Sequence, residues 1–556
     1  MEASIEKTVR DLLEIGPRAP GSWPELAAAE YVAGRLRALG YDAAIERFAS
    51  ASHQAASSRL TVEGVSESFP SLPTQFAAAG DVTGELVFLG RAAAPRLEAG
   101  AVAGRIGLFF AGDSHAVAIP YLVDLEARGL RGLVVISAHM DGIETKAVRY
   151  PELGLPVAAV SWRTGNALLR RQGERARLVV TAVEAPRQGE SQNVVATLPG
   201  SGEAVLVVSA HHDSAAFAPG ALDNASGTAV LLEVARALAG RRFPATVLLV
   251  STGSEENGGN DCCGAGAKAF YGRRPGLAER TVAHVEIDDV GNLAGTPRLT
   301  YAGCRAFCET AFTAPIREAF RLDVSTAAGC DHGVALGLGL PYVFVCDAGL
   351  APRPCYHTPD DRAEFLDVAR CAWHVPHVVG MIERLAGAAP FYPYLRQDDR
   401  LIRPFRFADA EGIAAVTEAA FGPYCMARIQ EDYFGVALAG KPWHVHKSSS
   451  VLAGFRAHPL DVVVCEVGGR VVGYASAGYD EAGGIAQIGN NAVHPDFQGR
   501  GIGSALQREI ARRMDVEGYS RFTVVTMTHD LPAQHVYEKL GYEKVGGSVV
   551  YLKKRV

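Results

Sequence analysis

The sequence lacks long apolar runs, basic clusters and, over its first 261 residues, cysteine. No stretch approaches the roughly 18 apolar residues that span a bilayer, and residues 1–18 carry charges throughout, unlike a signal peptide. The net charge of -7, without a long basic stretch, argues against a nucleic-acid partner. All ten cysteines follow residue 261 without regular spacing, which favours reduced thiols over a disulfide scaffold. We therefore predict a cytoplasmic protein with neither a membrane nor a nucleic-acid partner.

With 556 residues and 48% hydrophobic content, the chain is long enough for several packed cores. Residues 70–187 hold short strand candidates and one good helix candidate, which predicts a β-rich insert with a binding or shielding role. Residues 389–400 mix Gly, Pro and charge, as linkers do. We predict one domain from residues 1–69 and 188–388, and another from 401–556.

After residue 191 the pattern alternates strand and helix, which predicts an α/β fold with parallel strands and crossover helices. Four strand-like apolar runs, at 204–210, 246–252, 282–287 and 342–346, each precede metal-binding side chains. In such folds, sites form at the carboxyl ends of the strands. The side chains predicted to meet there are two histidines and three carboxylates: His211, Asp223, Glu256, Asp288 and His357.

Zinc catalysis needs nitrogen and oxygen ligands that leave one coordination position open for water. If one of the three carboxylates bridges, each of two metals receives three protein ligands. Asp223 is the natural bridge, since it lies among small residues in the string GALDNASG. Glu255 precedes a ligand without being needed as one, and is the candidate general base. Asp213, two residues after His211, is expected to fix the orientation of that imidazole.

The strings AHHDSAAFAPGALDNASG, SEENGG, VEIDDVG, CDHGVA and YHTPDD resemble the co-catalytic zinc aminopeptidases of clan MH, over residues 1–388. The resemblance implies two Zn²⁺ ions, a peptide or aminoacyl substrate, a protease-associated insert and a sandwich of helices around a mixed, mainly parallel sheet. It places His211 and Asp288 on one zinc and Glu256 and His357 on the other. Asp223 bridges, and a cis peptide bond follows it.

The stretch containing Cys262 and Cys263 departs from the short Gly-rich turn of that family. Two alternatives remain: a single-zinc enzyme like the related glutaminyl cyclases, or an amide hydrolase with a regulatory CoA-binding domain. A non-catalytic scaffold on the same fold is less favoured, because such proteins typically lose ligands and this chain has all five.

Near the end of the chain, a strand candidate leads through a glycine-rich turn into a helix, which is the arrangement of an anion site. With the later string YEKLGY, this segment resembles the GNAT acyl-CoA N-acetyltransferases, an α+β fold, over residues 401–556. The resemblance implies an amine acceptor, and Tyr537 as the acid that protonates the departing thiolate. It assigns acetyl-CoA to the residues Val493, Gln498, Gly499, Arg500, Gly501, Ile502 and Gly503.

His444 and His446 are predicted on a strand, two positions apart and facing the same way. No further ligand type lies near them in the sequence, so we interpret them as a loop or substrate-pocket feature. Glu466 is a weak candidate for the base of the acetyltransferase.

Overall fold

The computed structural model describes residues 1–91, 94–95, 102–110, 119–146, 153–187, 189–257, 264–326, 329–347, 355–422, 425–437 and 440–547. Three sheets organise these residues, one for each segment that the sequence analysis separates. Among the described helices, none is both long and apolar enough to cross a membrane.

The first sheet has eight strands, and four of its seven pairings are parallel. The predicted mixed, mainly parallel α/β sheet is therefore confirmed. Its central parallel strands are apolar because helices cover both faces. In spatial order the strands are Asp42–Ala49, Glu190–Leu198, Thr246–Thr252, Val205–His211, Thr281–Ile287, Tyr342–Cys346, Arg298–Ala302 and Arg321–Val324.

The helices of the described residues that pack around this sheet are Glu2–Ile15, Trp23–Ala38, Gly227–Leu238, Ala265–Gly272, Leu277–Arg280, Arg305–Ala311, Ala314–Ala319, Cys330–Gly337 and Val368–Leu385. Helix Gly227–Leu238 is buried on nearly all sides, because it lies between the sheet and helix Val368–Leu385. Its apolar residues belong to the largest core cluster. An irregular turn, Ala221–Ser226, leads directly into this helix and carries Asp223.

The insert forms a second sheet with its own apolar core. Its strands are Ala55–Val62, Leu72–Pro73, Gly80–Arg91, Ala94–Pro95, Ile106–Phe110, Gly132–Ile136, Val157–Val160 and Arg175–Ala182, and its helices are Ile119–Ala127 and Trp162–Leu169. Strand Ala55–Val62, which lies upstream of residue 70, pairs with strand Arg175–Ala182 in this sheet. The helix Trp162–Leu169 has no counterpart in the sequence prediction.

The C-terminal sheet has six strands: Leu395–Gln397, Arg400–Pro404, Val462–Val467, Arg470–Asp480, Ile485–Val493 and Phe522–Val524. Its helices are Ala410–Phe421, Met426–Phe434, Trp443–Ala457, Ile502–Val516 and Leu531–Lys539. His444 and His446 lie in the first turn of helix Trp443–Ala457, so the prediction of a strand there is wrong. Two positions apart on a helix, the two rings do not share a face.

The C-terminal part packs against the first domain. Tyr392, from the segment predicted as a linker, and Leu460 are both buried in the main core cluster of the first domain. Phe391 packs edge to face on Phe307, with 5.4 Å between ring centroids. Gly339 lies so close to Pro404 that a Cβ atom there would approach the proline ring to 2.6 Å.

Candidate functional site

The carboxyl ends of the central strands deliver the predicted ligands to one place. His211 is the last residue of its strand, and Asp288 directly follows Ile287 at the end of the neighbouring strand. Glu256 follows strand Thr246–Thr252 by four residues. The five side chains form two overlapping groups, His211–Asp223–Asp288 and Asp223–Glu256–His357, and within each group the ligand atoms lie within 4.8 Å of one another.

Asp223 is the member that the two groups share. Its Oδ1 lies 3.1 Å from Nε2 of His211, and its Oδ2 lies 3.1 Å from Nε2 of His357. His211 Nε2 is 3.4 Å from Asp288 Oδ1, and His357 Nε2 is 3.5 Å from Glu256 Oε1. The two oxygens of one carboxylate therefore face two different ligand groups. The peptide bond between Asp223 and Asn224 is cis, which confirms the expectation from the resemblance.

Two metal ions fit this donor set. The five ligands are almost fully buried, and each has a nitrogen or oxygen that makes no hydrogen bond to the described residues: His211 Nε2, Asp223 Oδ2, Glu256 Oε1, Asp288 Oδ1 and His357 Nε2. Buried polar atoms are normally satisfied, so a cluster of orphaned ones indicates a missing partner. Histidine nitrogens and carboxylate oxygens are typical zinc ligands.

The electrostatics of the cluster favour a cation. Burial works against the charged form of His211, but Asp288, Asp213 and Asp223 outweigh it and hold the pKa of the imidazole well above its usual range. Burial likewise opposes ionisation of Asp223, and the two histidines reverse this and hold its pKa well below the usual range. A set of groups that stabilises positive charge on an imidazole also stabilises a divalent ion.

Asp213 acts mainly on the glutamate pair. Its carboxylate oxygens accept hydrogen bonds from the backbone N–H of Glu255 (3.1 Å) and of Glu256 (3.0 Å). Its carboxylate also lies 3.4 Å from Nδ1 of His211, while the backbone carbonyl of Asp213 is slightly closer at 3.2 Å. The carboxylate therefore ties the candidate base and one candidate ligand to the strand end that carries His211.

Two buried side chains hold the loop that carries Asp223. The carboxylate of Asp361 accepts the backbone N–H of Leu222 (2.8 Å) and of Asp223 (3.1 Å), and burial raises its pKa to about 7. The guanidinium of Arg18 donates to the carbonyls of His212 (2.7 Å), Pro219 (2.7 Å) and Gly220 (2.9 Å). Asp361 is the last residue of the string YHTPDD, which carries part of the resemblance, whereas the role of Arg18 has no local signal in the sequence.

The insert closes over the site. Gln75 donates to the carbonyl of Glu256 (2.6 Å) and accepts from the N–H of Ala216 (3.1 Å). The backbone N–H of Thr145 donates to the carbonyl of His357 (3.2 Å). Lys146, only 4% exposed, pairs its ammonium with the carboxylate of Glu256, and its Nζ lies 3.8 Å from Glu255 Oε2. Neither Gln75 nor Lys146 is among the site residues predicted from the sequence.

A third grouping, Glu286 with Cys330 and His332, lies nearby. The carboxylate of Glu286 already accepts the backbone N–H groups of Asp331 (3.2 Å) and His332 (2.7 Å), and it contacts Nδ1 of His332 at 2.6 Å. These bonds give it a structural role in holding the Asp331–His332 pair. Cys262 and Cys263 lie outside the described residues.

In the C-terminal sheet, a split between two strands precedes the glycine loop. Strands Ile485–Val493 and Phe522–Val524 pair only from Ala486 to Ile488, so the end of the longer strand is left unpaired on that side in the described ladder. Gln498 donates its side-chain amide to the carbonyl of Val493 (3.0 Å), which fixes the loop to that strand.

Gly499 and Gly501 both adopt positive φ, and Gly501 caps helix Ile502–Val516. The first N–H groups of a helix have no carbonyl partner within it and are available to an anion. The loop from Gln498 to Gly503 therefore has the form predicted for it.

Tyr537 lies beside the strand that splits. Its hydroxyl accepts a hydrogen bond from Nδ2 of Asn491 (3.0 Å), and burial raises its pKa. Glu466 accepts two hydrogen bonds from Arg403, at 3.1 and 2.9 Å, so its carboxylate is engaged in an ion pair. This engagement disfavours Glu466 as a base.

The sequence of residues 193–379 matches peptidase family M28, and that of residues 423–542 matches the acetyltransferase (GNAT) family. A probable leucine aminopeptidase of Arthroderma otae is 31% identical over 214 residues, which cover 35% of this chain and 58% of the relative. An acetyltransferase of Sodalis glossinidius is 36% identical over 94 residues, or 17% of this chain and 64% of the relative. The chain thus spans about three fifths of the length of these relatives.

A solved zinc aminopeptidase from Bacillus subtilis superimposes with a TM-score of 0.56 at 22% identity, covering 69% of this chain and 94% of that one. At this identity the likeness concerns the fold alone. By sequence, residues 193–379 are thus similar to peptidase family M28 and residues 423–542 to the GNAT acetyltransferase family, and the chain shares the fold of a solved zinc aminopeptidase.

Proposed function

We propose that the chain is a bifunctional enzyme: a zinc-dependent aminopeptidase that removes N-terminal residues from peptides, fused to an acetyl-CoA-dependent N-acetyltransferase. The observation that carries the first half is the carboxylate of Asp223, shared between two buried ligand groups. The second half is carried by the split strand pair followed by the glycine loop.

In this proposal, His211 and Asp288 would hold one Zn²⁺, Glu256 and His357 would hold the other, and Asp223 would be a ligand shared by the two sites. Zinc bound there supplies Lewis-acid polarisation of the scissile carbonyl and lowers the pKa of the attacking water. Glu255 accepts the proton of that water and passes it to the leaving amine. Asp213 keeps Glu255 in place through the backbone bond at 3.1 Å. The insert residues Gln75 and Lys146 exclude bulk water from the reacting groups.

In the acetyltransferase half, we propose that the N–H groups from Gln498 to Gly503 bind the pyrophosphate of acetyl-CoA. Acetyl-CoA supplies the acyl group as a thioester. Tyr537, held by Asn491, protonates the departing sulfur. The acceptor is an amine.

The first test counts metals and measures peptidase turnover. Purified full-length protein should contain about two zinc ions per chain by elemental analysis and should hydrolyse a panel of aminoacyl anilides. One tightly held zinc in a fully active enzyme would contradict the two-metal site and favour the cyclase-like alternative. Calorimetry with acetyl-CoA tests the second half, and no binding by the folded chain would reduce the C-terminal domain to a structural or regulatory role.

A reducing, cytoplasmic location remains our proposal for the compartment. It is supported by five cysteines of the described part of the chain that are free thiols: Cys304, Cys308, Cys371, Cys425 and Cys465. Such thiols are typical of reducing compartments.

A further inference from the structure

A lysine with no carboxylate partner among the described residues lies close to the proposed acetyl-transfer site. Two consecutive asparagines at the split strand reach different helices. Asn491 bonds Tyr537, while Asn490 accepts a hydrogen bond from Nζ of Lys447 at 2.7 Å. Lys447 belongs to helix Trp443–Ala457. Its partner Asn490 is the strand residue next to Asn491, which contacts the candidate proton donor Tyr537.

Lys447 is half-buried, and its two partners are uncharged. Besides Asn490, its ammonium lies 4.6 Å from the ring centroid of Phe421. Within the described part of the chain, no carboxylate lies within 4.0 Å of Nζ; the neighbouring Glu418 is instead 3.9 Å from His444. The undescribed residues after 401 include no Asp or Glu. Burial lowers the pKa of Lys447, as expected for a cation that lacks a counter-ion.

We infer that Lys447 binds a carboxylate of the acetyl acceptor, so that the acceptor is an amino acid or short peptide rather than a simple amine or polyamine. This inference rests on the proposed acetyltransferase activity. A carboxylate would supply the anion that a partly buried ammonium lacks. A polyamine would instead bring a second cation next to Lys447, at an electrostatic cost.

The chemistry connects the two domains. Hydrolysis of an N-terminal peptide bond releases an amino acid that carries both a free amine and a carboxylate. At the second site, the amine loses one proton to solvent and its nitrogen forms a bond to the thioester carbonyl carbon. The carbon–sulfur bond breaks and the sulfur takes the proton of Tyr537, while the nitrogen loses its second proton to solvent and Tyr537 regains a proton from solvent. The product of the first proposed reaction is thus an acceptor for the second.

The experiment compares acceptors that differ only in the carboxylate. Full-length enzyme is first titrated with acetyl-CoA by calorimetry. Initial rates of thiol release are then measured with leucine, phenylalanine and alanine, with the amide of each, and with spermidine, all in a Glu255→Gln background so that the peptidase site does not hydrolyse the amides to amino acids. We expect the amino acids to have a KM at least tenfold below that of their amides.

Lys447→Met should raise KM for the amino acids at least tenfold and leave kcat and the KM of the amides within about twofold. Lys447→Arg should restore most of the affinity. Lys441→Met removes an exposed lysine of the same region and serves as the matched control. A purely structural role for Lys447 would instead change kcat or KM for both acceptor classes alike.

Failure of acetyl-CoA to bind would overturn the proposed acetyltransferase and this inference with it. Where acetyl-CoA binds, three results overturn the inference alone: preference for amides or spermidine, no acetylation of any amino acid in the panel, or equal effects of Lys447→Met on acids and amides.

Discussion

Asp223 is positioned before any ligand arrives. Its loop is held on one side by the Asp361 carboxylate and on the other by the Arg18 guanidinium, and all three side chains are almost fully buried. Because these contacts restrict the loop, the Asp223 carboxylate keeps one oxygen toward His211 and the other toward His357. Residues of this supporting kind typically contribute 10–100-fold to metal affinity or activity.

Glu255 and Glu256 are adjacent, but their substitution should have different effects on turnover and zinc content. Glu255→Gln removes a proton acceptor and no proposed ligand, so zinc content should stay at the wild-type level while kcat/KM falls by ~10²–10⁴. Glu256→Gln should lower zinc content as well. Elemental analysis and anilide hydrolysis on both variants check this; near-normal turnover by Glu255→Gln would reject the assignment.

Arg18 is predicted to matter for stability. Arg18→Met leaves the buried carbonyls of His212 and Gly220, each at ~1–3 kcal/mol, and the partly buried carbonyl of Pro219 without their donor. We expect a clear drop in the melting temperature and, because the Asp223 loop loosens, less bound zinc. Arg35→Met is the matched control, since Arg35 donates to the hydroxyl of Tyr31 on a half-buried surface. Equal melting temperatures for the two variants would contradict this role.

At the scale of elements, the glycine loop depends on backbone conformation at one position and on open space at another. Gly501 has φ of 78°, where a β-branched residue is strained, whereas a Cβ at Gly503 would meet only Val493 Cγ2 at an ordinary 3.7 Å. Gly501→Val should therefore distort the loop and abolish acetyl-CoA binding.

Gly503→Ala should preserve the fold and weaken acetyl-CoA binding only through the added methyl group. Calorimetry measures the binding of both variants, and anilide hydrolysis should be unchanged in each. If Gly501→Val bound acetyl-CoA with wild-type affinity, the loop would not be the pyrophosphate site.

The elements that carry the ligands could be predicted because a buried parallel strand is a local apolar run, and His211 and Asp288 stand at the ends of such runs. The residues that hold the site in place could not be predicted from the sequence. Arg18 bonds a carbonyl 194 residues away in sequence, and backbone carbonyls give no signal in residue type. Lys146 reaches the site only because the insert folds over it. In the helix that starts at Trp443, the His-Val-His triplet alternates as residues of a strand do, which led to the wrong prediction. The buried residues of this helix, Val451 and Phe455, lie further along the chain.

At the scale of the whole molecule, the two domains share a polar interface behind helix Ile502–Val516. Glu517, at the C-terminal end of this helix, accepts the backbone N–H of Arg305 in the first domain at 3.0 Å. Arg513, on the same helix, lies over the ring of Tyr392 at 5.2 Å and donates to the carbonyl of Leu460 at 2.9 Å. The helix that follows the proposed acetyl-CoA loop therefore also contacts the peptidase domain.

This interface is predicted to weaken as pH rises. Burial raises the pKa of Glu517 from its usual 4.5 to about 7 and that of Asp461 from its usual 3.8 to about 6. A carboxyl whose pKa is higher in the folded state binds its proton more tightly there. Such a carboxyl contributes fully to the free energy of unfolding below its pKa in the unfolded state. This contribution is lost as the pH rises through its pKa in the folded state, here between about pH 4 and 7.

Glu517→Gln keeps an oxygen for the Arg305 N–H and removes the titration. We therefore expect calorimetric melting temperatures of wild type and variant to agree at pH 5, and the variant to melt higher at pH 8. Because Glu517 is partly exposed, solvent screening makes the difference smaller than the pKa shift alone suggests. Asp515→Asn, a change at an exposed position of the same helix, should show no such divergence. A variant that melts below wild type by the same margin at both pH values would show that Glu517 acts through its hydrogen bond and not through its charge.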